Sequence, residues 1–207
     1  AEVYEEESRI KHNIRALVNC IRKKVSEEAK PYVHFTATSN DIISTAESLR
    51  LKDAALNALI PQLLLLEKTL INIARREKNT LQIGRTHGQH AEPITFGFAV
   101  ASYVSRLGGR IASVIAGAKN MRGKFAGAVG AYNASSLLLK NPEELEAAVL
   151  KKLGLQPSTH STQIVEPEFA VDLMHSVVSA FGVMANIADD MRHLQRTEIG
   201  EVAEQFG

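Results

Sequence analysis

The densest collection of reactive side chains is Gly84-Arg85-Thr86-His87-Gly88-Gln89-His90-Ala91-Glu92-Pro93. His87 brings an imidazole, a group that can give or take a proton during a reaction. Thr86 offers a hydroxyl, Arg85 a fork that fits a carboxylate, and the two glycines permit tight or left-handed turns. A second cluster, Thr36-Ala37-Thr38-Ser39-Asn40-Asp41, places hydroxyls and amide-capping residues at a helix start. Free backbone amides there favour an anion. The same residues also make a plain capping motif.

Three further stretches carry polar groups. Gly123-Lys124-Phe125-Ala126-Gly127-Ala128-Val129-Gly130-Ala131-Tyr132-Asn133 looks like a phosphate loop at first sight. Its glycine spacing is wrong, and Phe125 follows the lysine where Ser or Thr is needed. Close helix packing is the plainer use of these glycines, with Lys124 or Asn133 at a site edge. Ser161-Thr162-Gln163 leads into a long helix, and Lys11-His12-Asn13 lies within the first helix. A lone helical histidine is more often structural than reactive.

Other chemistries fit poorly. His87 and His90 are close, but no His-Glu-x-x-His helix or cysteine pair accompanies them, so no metal is expected. No Gly-x-Ser-x-Gly elbow supports a serine hydrolase. Arg106, Arg110, Lys119 and Arg122 lack interleaved aromatics, so they read as a solvated face rather than a nucleic-acid site.

These clusters need elements to hold them. Residues 3–28 read as one helix that stops before Pro31. A second runs over about 40–77, capped by Asn40 or Asp41. Leu49, Leu56, Leu63 and Leu70 repeat along it with Leu59, Leu66 and Ile73 between, the spacing of a bundle seam. Pro61 inside that seam is expected to kink it. A third helix is expected over 95–121. A short fourth is capped by Asn141, begins with Pro142 and ends near Gly154. A fifth starts at Pro167 and is drawn to the chain's end. Its stripe is Met174, Val177, Phe181, Met184, Ala188 and Met191, turning polar at Gln195 and Glu198. The connections over 32–40, 79–94 and 122–136 are longer than most helix–helix loops, and long ordered loops are usually functional.

Composition bounds the rest. The 207 residues suffice for a sizeable core, and 45% hydrophobic with 23% charged residues is ordinary for a globular protein. A net charge of +1 gives no field toward nucleic acid or membrane. No uninterrupted apolar run reaches the roughly 18 residues of a membrane span. The acidic start is no secretory signal. The single cysteine, Cys20, forms no internal disulfide and reads as an inert core thiol, which suits a cytoplasmic setting. The chain opens mid-helix and closes at Gln205-Phe206-Gly207 without a clear stop, so it reads as a piece of something longer.

Together the motifs resemble the fumarase and aspartase superfamily. Thr38-Ser39-Asn40-Asp41 is similar to its first motif region. The stretch from Gly84 to Pro93 is similar to the second, in the form seen in its adenylosuccinate lyase branch. Lys11-His12-Asn13, Gly127 to Ala134 and Ser161-Thr162-Gln163 also match that branch. The resemblance implies an all-α, long-helix bundle of the fumarase/aspartase type with a tetrameric helical core. Residues 1–207 would be its central helical-bundle domain. It implies a fumarate-releasing C–N lyase acting on a small-molecule, adenylosuccinate-type nucleotide, with no cofactor, and with active sites shared within a homotetramer. By resemblance, His87 is the general acid and His12 its helper. Thr38, Ser39 and Thr86 grip the succinyl carboxylates, Gln163 holds the substrate, and Lys11 and Asn13 lie near the nucleotide. Asn13 stands where the family usually has Asp, so a charge is missing there. The family's third motif, a Ser-Ser-x-Met-Pro loop carrying the base, is absent from these residues, so this stretch alone is expected to be inactive. The alternatives are another lyase or cycloisomerase of the superfamily, and a non-catalytic helical assembly domain.

Overall fold

The first helical stretch is not continuous. In the computed structural model, which describes residues 1–204, it divides into α1 (Glu2–Ile10) and α2 (Asn13–Arg22). Lys11 takes a left-handed conformation (φ 57°) and its amide closes on Glu7 at 2.7 Å. His12 is extended, and its ring accepts the amide of Arg15, which starts α2. Lys11-His12-Asn13 is therefore a helix break made by its own capping chemistry, not a stretch of helix interior.

A short 3-10 turn, Lys30–Tyr32, precedes α3 (Ser39–Asp53). Next come a π-helical segment, Ala54–Leu59, and α4 (Ile60–Arg76). Pro61 falls in the first turn of α4, where its missing donor costs little, directly after the widened π turn. Strands β1 (Leu81–Thr86) and β2 (Gln89–Thr95) follow, then α5 (Phe96–Lys119). The rest is β3 (Arg122–Gly123), α6 (Asn133–Ser136), α7 (Pro142–Lys152), β4 (Gln156–Pro157) and α8 (Glu168–Leu194). The architecture is predominantly helical, as the sequence implied, with a few short strands.

Several boundaries differ from expectation. Residues 79–94 are not an irregular loop. β1 and β2 form an antiparallel hairpin with a bulge between Ile83 and Arg85. Its two-residue turn, His87-Gly88, has φ of 54° and 72°. Positive φ at both turn positions is what the twist of a tight hairpin demands. Asn141 sits at the start of α7, but its side chain donates to Glu144 (2.9 Å) rather than capping a backbone amide. α8 stops at Leu194, so Gln195 and Glu198 lie past the helix. The chain folds back there, with Glu201 N bonded to Leu194 O (2.9 Å). The expectation that this helix reaches Gly207 ends on residues outside those described. Its buried positions are Leu173, Ala180 and Val183, whereas Met174 and Phe181 of the expected stripe are exposed.

By contact the chain divides into two compact units, 1–52 with 120–169, and 53–119 with 170–207. In the first, α1 and α2 form a helical hairpin, with Asn19 donating to Glu6 at 2.7 Å. The unit's apolar core includes Val18, Cys20, Met121, Leu150 and Leu155. Cys20 is a buried free thiol, as expected. In the second, α4 packs on α5, with Leu63 and Leu70 buried on one and Val100, Leu107, Ile111 and Val114 on the other. Gly97 lets them approach closely: a Cβ there would stand 2.5 Å from the Ala74 carbonyl oxygen. α8 bonds to α5 through Tyr103–Asp190, Arg106–Asn186 (2.7 Å) and Arg110–Ser179 (3.3 Å). Burial, then Asp190, pushes the Tyr103 hydroxyl up to about 12.

Two stretches, Ser39–Arg76 and Glu168–Leu194, are long and apolar enough to cross a membrane by length and composition. Counting uninterrupted apolar residues misses them, because their charges are sparse rather than absent. Only 22% and 17% of those windows is buried, so their apolar surface is largely uncovered.

Candidate active site

The first unit carries Lys11, His12, Asn13, Thr38, Ser39 and Gln163; the second carries Thr86 and His87. In the first unit, Nδ1 of His12 accepts from Arg15 N at 3.3 Å. A neutral His12 that keeps this cap carries its proton on Nε2, outward toward solvent. Asn13 Oδ1 accepts from the amide of Ile14 at 2.7 Å. Lys11, His12 and Asn13 are all exposed, so a ligand can reach them.

The loop before α3 is strained and densely bonded. His34 (φ 65°) and Thr36 (φ 55°) are both left-handed, a conformation that costs a residue with a Cβ about 1–2 kcal/mol. His34 Nε2 and Thr36 Oγ1 are buried atoms with no partner among the described residues. Burial first, then the Arg15 cation, pushes the His34 imidazole below its ordinary value, against the pull of Asp41; His12 lowers it further. The helix break bearing His12 and the loop bearing Thr38 are thus electrostatic neighbours. His34 is a functional candidate that the sequence reading passed over. Its signal was its place two residues before Thr36 in a loop already suspected.

Asp41 does not simply open a helix. It is buried, and its Oδ2 accepts from Thr38 N at 2.9 Å. Both its oxygens also receive amides from the glycine-rich stretch, Ala126 N and Gly127 N at 3.2 Å each. Lys124, fully buried, pairs with the same carboxylate. Glu146 of α7 holds the same stretch at two points, accepting from Phe125 N (2.7 Å) and from the Tyr132 hydroxyl. Burial and then Glu146 push that phenol well above its usual range. Gly130 (φ 76°) packs where a Cβ would come 2.0 Å from Ser161 O. The glycine-rich stretch therefore joins the Thr38 loop to the segment carrying exposed Gln163. Lys124 lies inside the unit rather than at a site edge.

In the second unit, Thr86 and His87 stand exposed at the hairpin tip. Arg85 is not free to clamp a substrate. It pairs with Glu201 at 2.5 Å and donates to Ile83 O at 3.3 Å. Gln82 donates to the second Glu201 oxygen at 2.9 Å. The Arg85 hydrogen bond, chiefly, holds the Glu201 carboxyl below the usual carboxylate range. Below the tip lies a cleft of about 620 Å³, lined by Arg85, His90, Asp190, His193 and Arg196 among others. Among the described residues no three His, Cys, Asp or Glu side chains converge as a metal site.

The first unit thus presents hydroxyls and imidazoles around the start of α3, and the second an exposed hydroxyl and imidazole at a hairpin tip. A family model described as Lyase matches residues 2–206. Adenylosuccinate lyase of Pyrococcus abyssi (strain GE5 / Orsay) is 37% identical over 206 residues, covering 99% of this chain and 45% of that protein. Adenylosuccinate lyase of Aquifex aeolicus (strain VF5) is 33% identical over the same share of each. Among solved structures, a fumarate lyase from Mesorhizobium sp. BNC1 superposes with a TM-score of 0.85 at 26% identity, covering 98% of this chain and 47% of that one. The chain spans less than half the length of these relatives.

Proposed function

The chain belongs to the lyase family of the fumarase and aspartase superfamily, and on that premise we propose that the protein carrying it splits adenylosuccinate, and the related succinyl-carboxamide ribotide, into fumarate and the nucleotide amine. One observation carries the reading: relatives named adenylosuccinate lyase align over 99% of the chain at 33–37% identity.

In this reaction a base takes a proton from the succinyl carbon next to a carboxylate. The electron pair forms the fumarate double bond as the C–N bond breaks, and an acid protonates the departing nitrogen. The carbanion-like intermediate is stabilised by donors placed before it forms. Thr38 and Ser39 at the start of α3, and Thr86 beside the hairpin turn, supply hydroxyls for the succinyl carboxylates. His87 is the acid, His12 its helper, Gln163 a substrate anchor, and Lys11 and Asn13 nucleotide contacts. The base is a serine on the family's third motif, which is not among these 207 residues, so the chain by itself is inactive.

The protein is proposed to work as a cytoplasmic homotetramer with shared sites. Support comes from uncovered apolar side chains. Phe181, Val178 and Val171 of α8 are 65%, 67% and 60% exposed, and Leu65 of α4 is 61%. Patches of this kind mark interaction surfaces, and a helical core built with further copies would cover them. The test is fumarate release from adenylosuccinate by the purified intact gene product. Release is expected. Turnover of another succinyl compound but not this one would move the protein to a different lyase, and no turnover of any would leave an assembly domain.

A further inference from the structure

The proposed reaction uses neither Asp41 nor Lys124, yet both are sealed from solvent, at 2% and 0% exposure. Lys124 Nζ donates to Asp41 Oδ1 and to Gly127 O (2.9 Å). Its backbone is tied as well: Lys124 N donates to Thr45 Oγ1, and that hydroxyl donates to Lys124 O, both at 3.0 Å. Asp41 gathers Thr38 N, Ala126 N and Gly127 N beside the ammonium. Burying such a pair is costly, and apolar residues of similar volume often stabilise a core as well or better. Stability alone does not account for it.

What the pair does beyond packing is set the Thr38 amide. That hydrogen bond fixes the entry to α3 next to the left-handed Thr36. A carboxylate used for this task brings a problem. It lies one turn from the place where the substrate's own carboxylate would bind, and like charges at such range repel strongly in a dry interior. Lys124, itself fully buried, cancels that charge without being open to the substrate. We propose that Asp41 is a positioning residue for Thr38 and Ser39, and that Lys124 is its neutralising counter-ion, which lets the start of α3 receive a succinyl carboxylate. This rests on the lyase reading above.

The test uses the intact assembled enzyme, with inhibition by fumarate and by AMP measured separately. In Lys124→Met the Asp41 charge is left uncompensated. The fumarate Ki and the KM for adenylosuccinate are expected to rise at least about tenfold, while the AMP Ki and kcat change far less. Adding Asp41→Asn keeps an acceptor for Thr38 N but removes the charge, and is expected to recover most of the loss. A folded Lys124→Met enzyme with an unchanged fumarate Ki overturns the proposal. So does a double variant that stays as weak as the single one. If Lys124→Met fails to fold, the neutral double variant carries the test: a fumarate Ki near wild type supports the proposal, and a tenfold loss overturns it. A wild-type enzyme that releases no fumarate would sink the lyase reading instead, a separate outcome.

Discussion

The loop before α3 and the hairpin after α4 both carry residues of the proposed chemistry, and they are held in opposite ways. Thr38 is fixed from beneath by a buried ion pair, two further amides and a glycine-rich strap. His87 stands exposed on a two-residue turn, and the Arg85–Glu201 pair clamps the strand two residues away. The contrast matches the tasks proposed for Thr38 and His87, although Thr86, the third proposed grip, shares the exposed hairpin tip. A carboxylate grip must be preorganised, because its value lies in not having to reorganise as charge develops. A proton donor needs reach and a free ring.

The largest effect should come from the exposed side of this contrast. His87→Ala in the intact enzyme is expected to lower kcat by about 10²- to 10⁴-fold, the usual contribution of a general acid. The left-handed turn and the helical packing do not depend on the imidazole, so the assembly should keep its size and thermal stability. Steady-state kinetics and sizing in solution check both halves. Activity near wild type would remove His87 as the acid and leave the hairpin a structural device.

Gly130 probes the rigid side. Any side chain there meets Ser161 O at an impossible 2.0 Å and sits at φ 76°. Gly130→Ala should therefore cost about 3 kcal/mol or more of stability, the mark of a strained or overpacked site. It should also raise KM, since the strap links Thr38 to Gln163. Chemical denaturation and kinetics on one preparation measure both. A stable variant with unchanged KM would show that the strap is not part of the grip.

Much of this was readable in the sequence for physical reasons. Long helices announce themselves by period, and the clusters at 36–41 and 84–93 stand out because few structural loops collect hydroxyls, histidine and glycine together. The helix break at Lys11-His12 was not readable, because the flanking apolar spacing continues through it and only the His12 ring cap reveals the interruption. The hairpin was hidden by its polar strands, whose outer positions are exposed on both faces. The Asp41–Lys124 pair joins residues far apart in the chain, and a lone lysine among glycines gives no hint that it is buried. α8 misled by being apolar on more than one face, so its stripe could be drawn along the wrong side.

His34 sharpens the comparison with the smallest effect. Its folded value lies below its unfolded one of about 6.5, chiefly through burial and then through Arg15. The unfolded chain therefore takes up a proton first as pH falls. The stability this loop contributes is complete above about pH 6.5 and is lost as the pH drops toward the folded value. His34→Gln removes the titrating group, so below pH 6.5 the variant's stability should fall less steeply than that of the parent. The difference in slope should be less than about one proton. The readout is unfolding by denaturant at several pH values between 5 and 8. A parallel pair of profiles would mean that His34 is free to protonate in the folded loop. The loop before α3 would then be looser than its hydrogen bonds imply, closer to the hairpin than to a fixed grip.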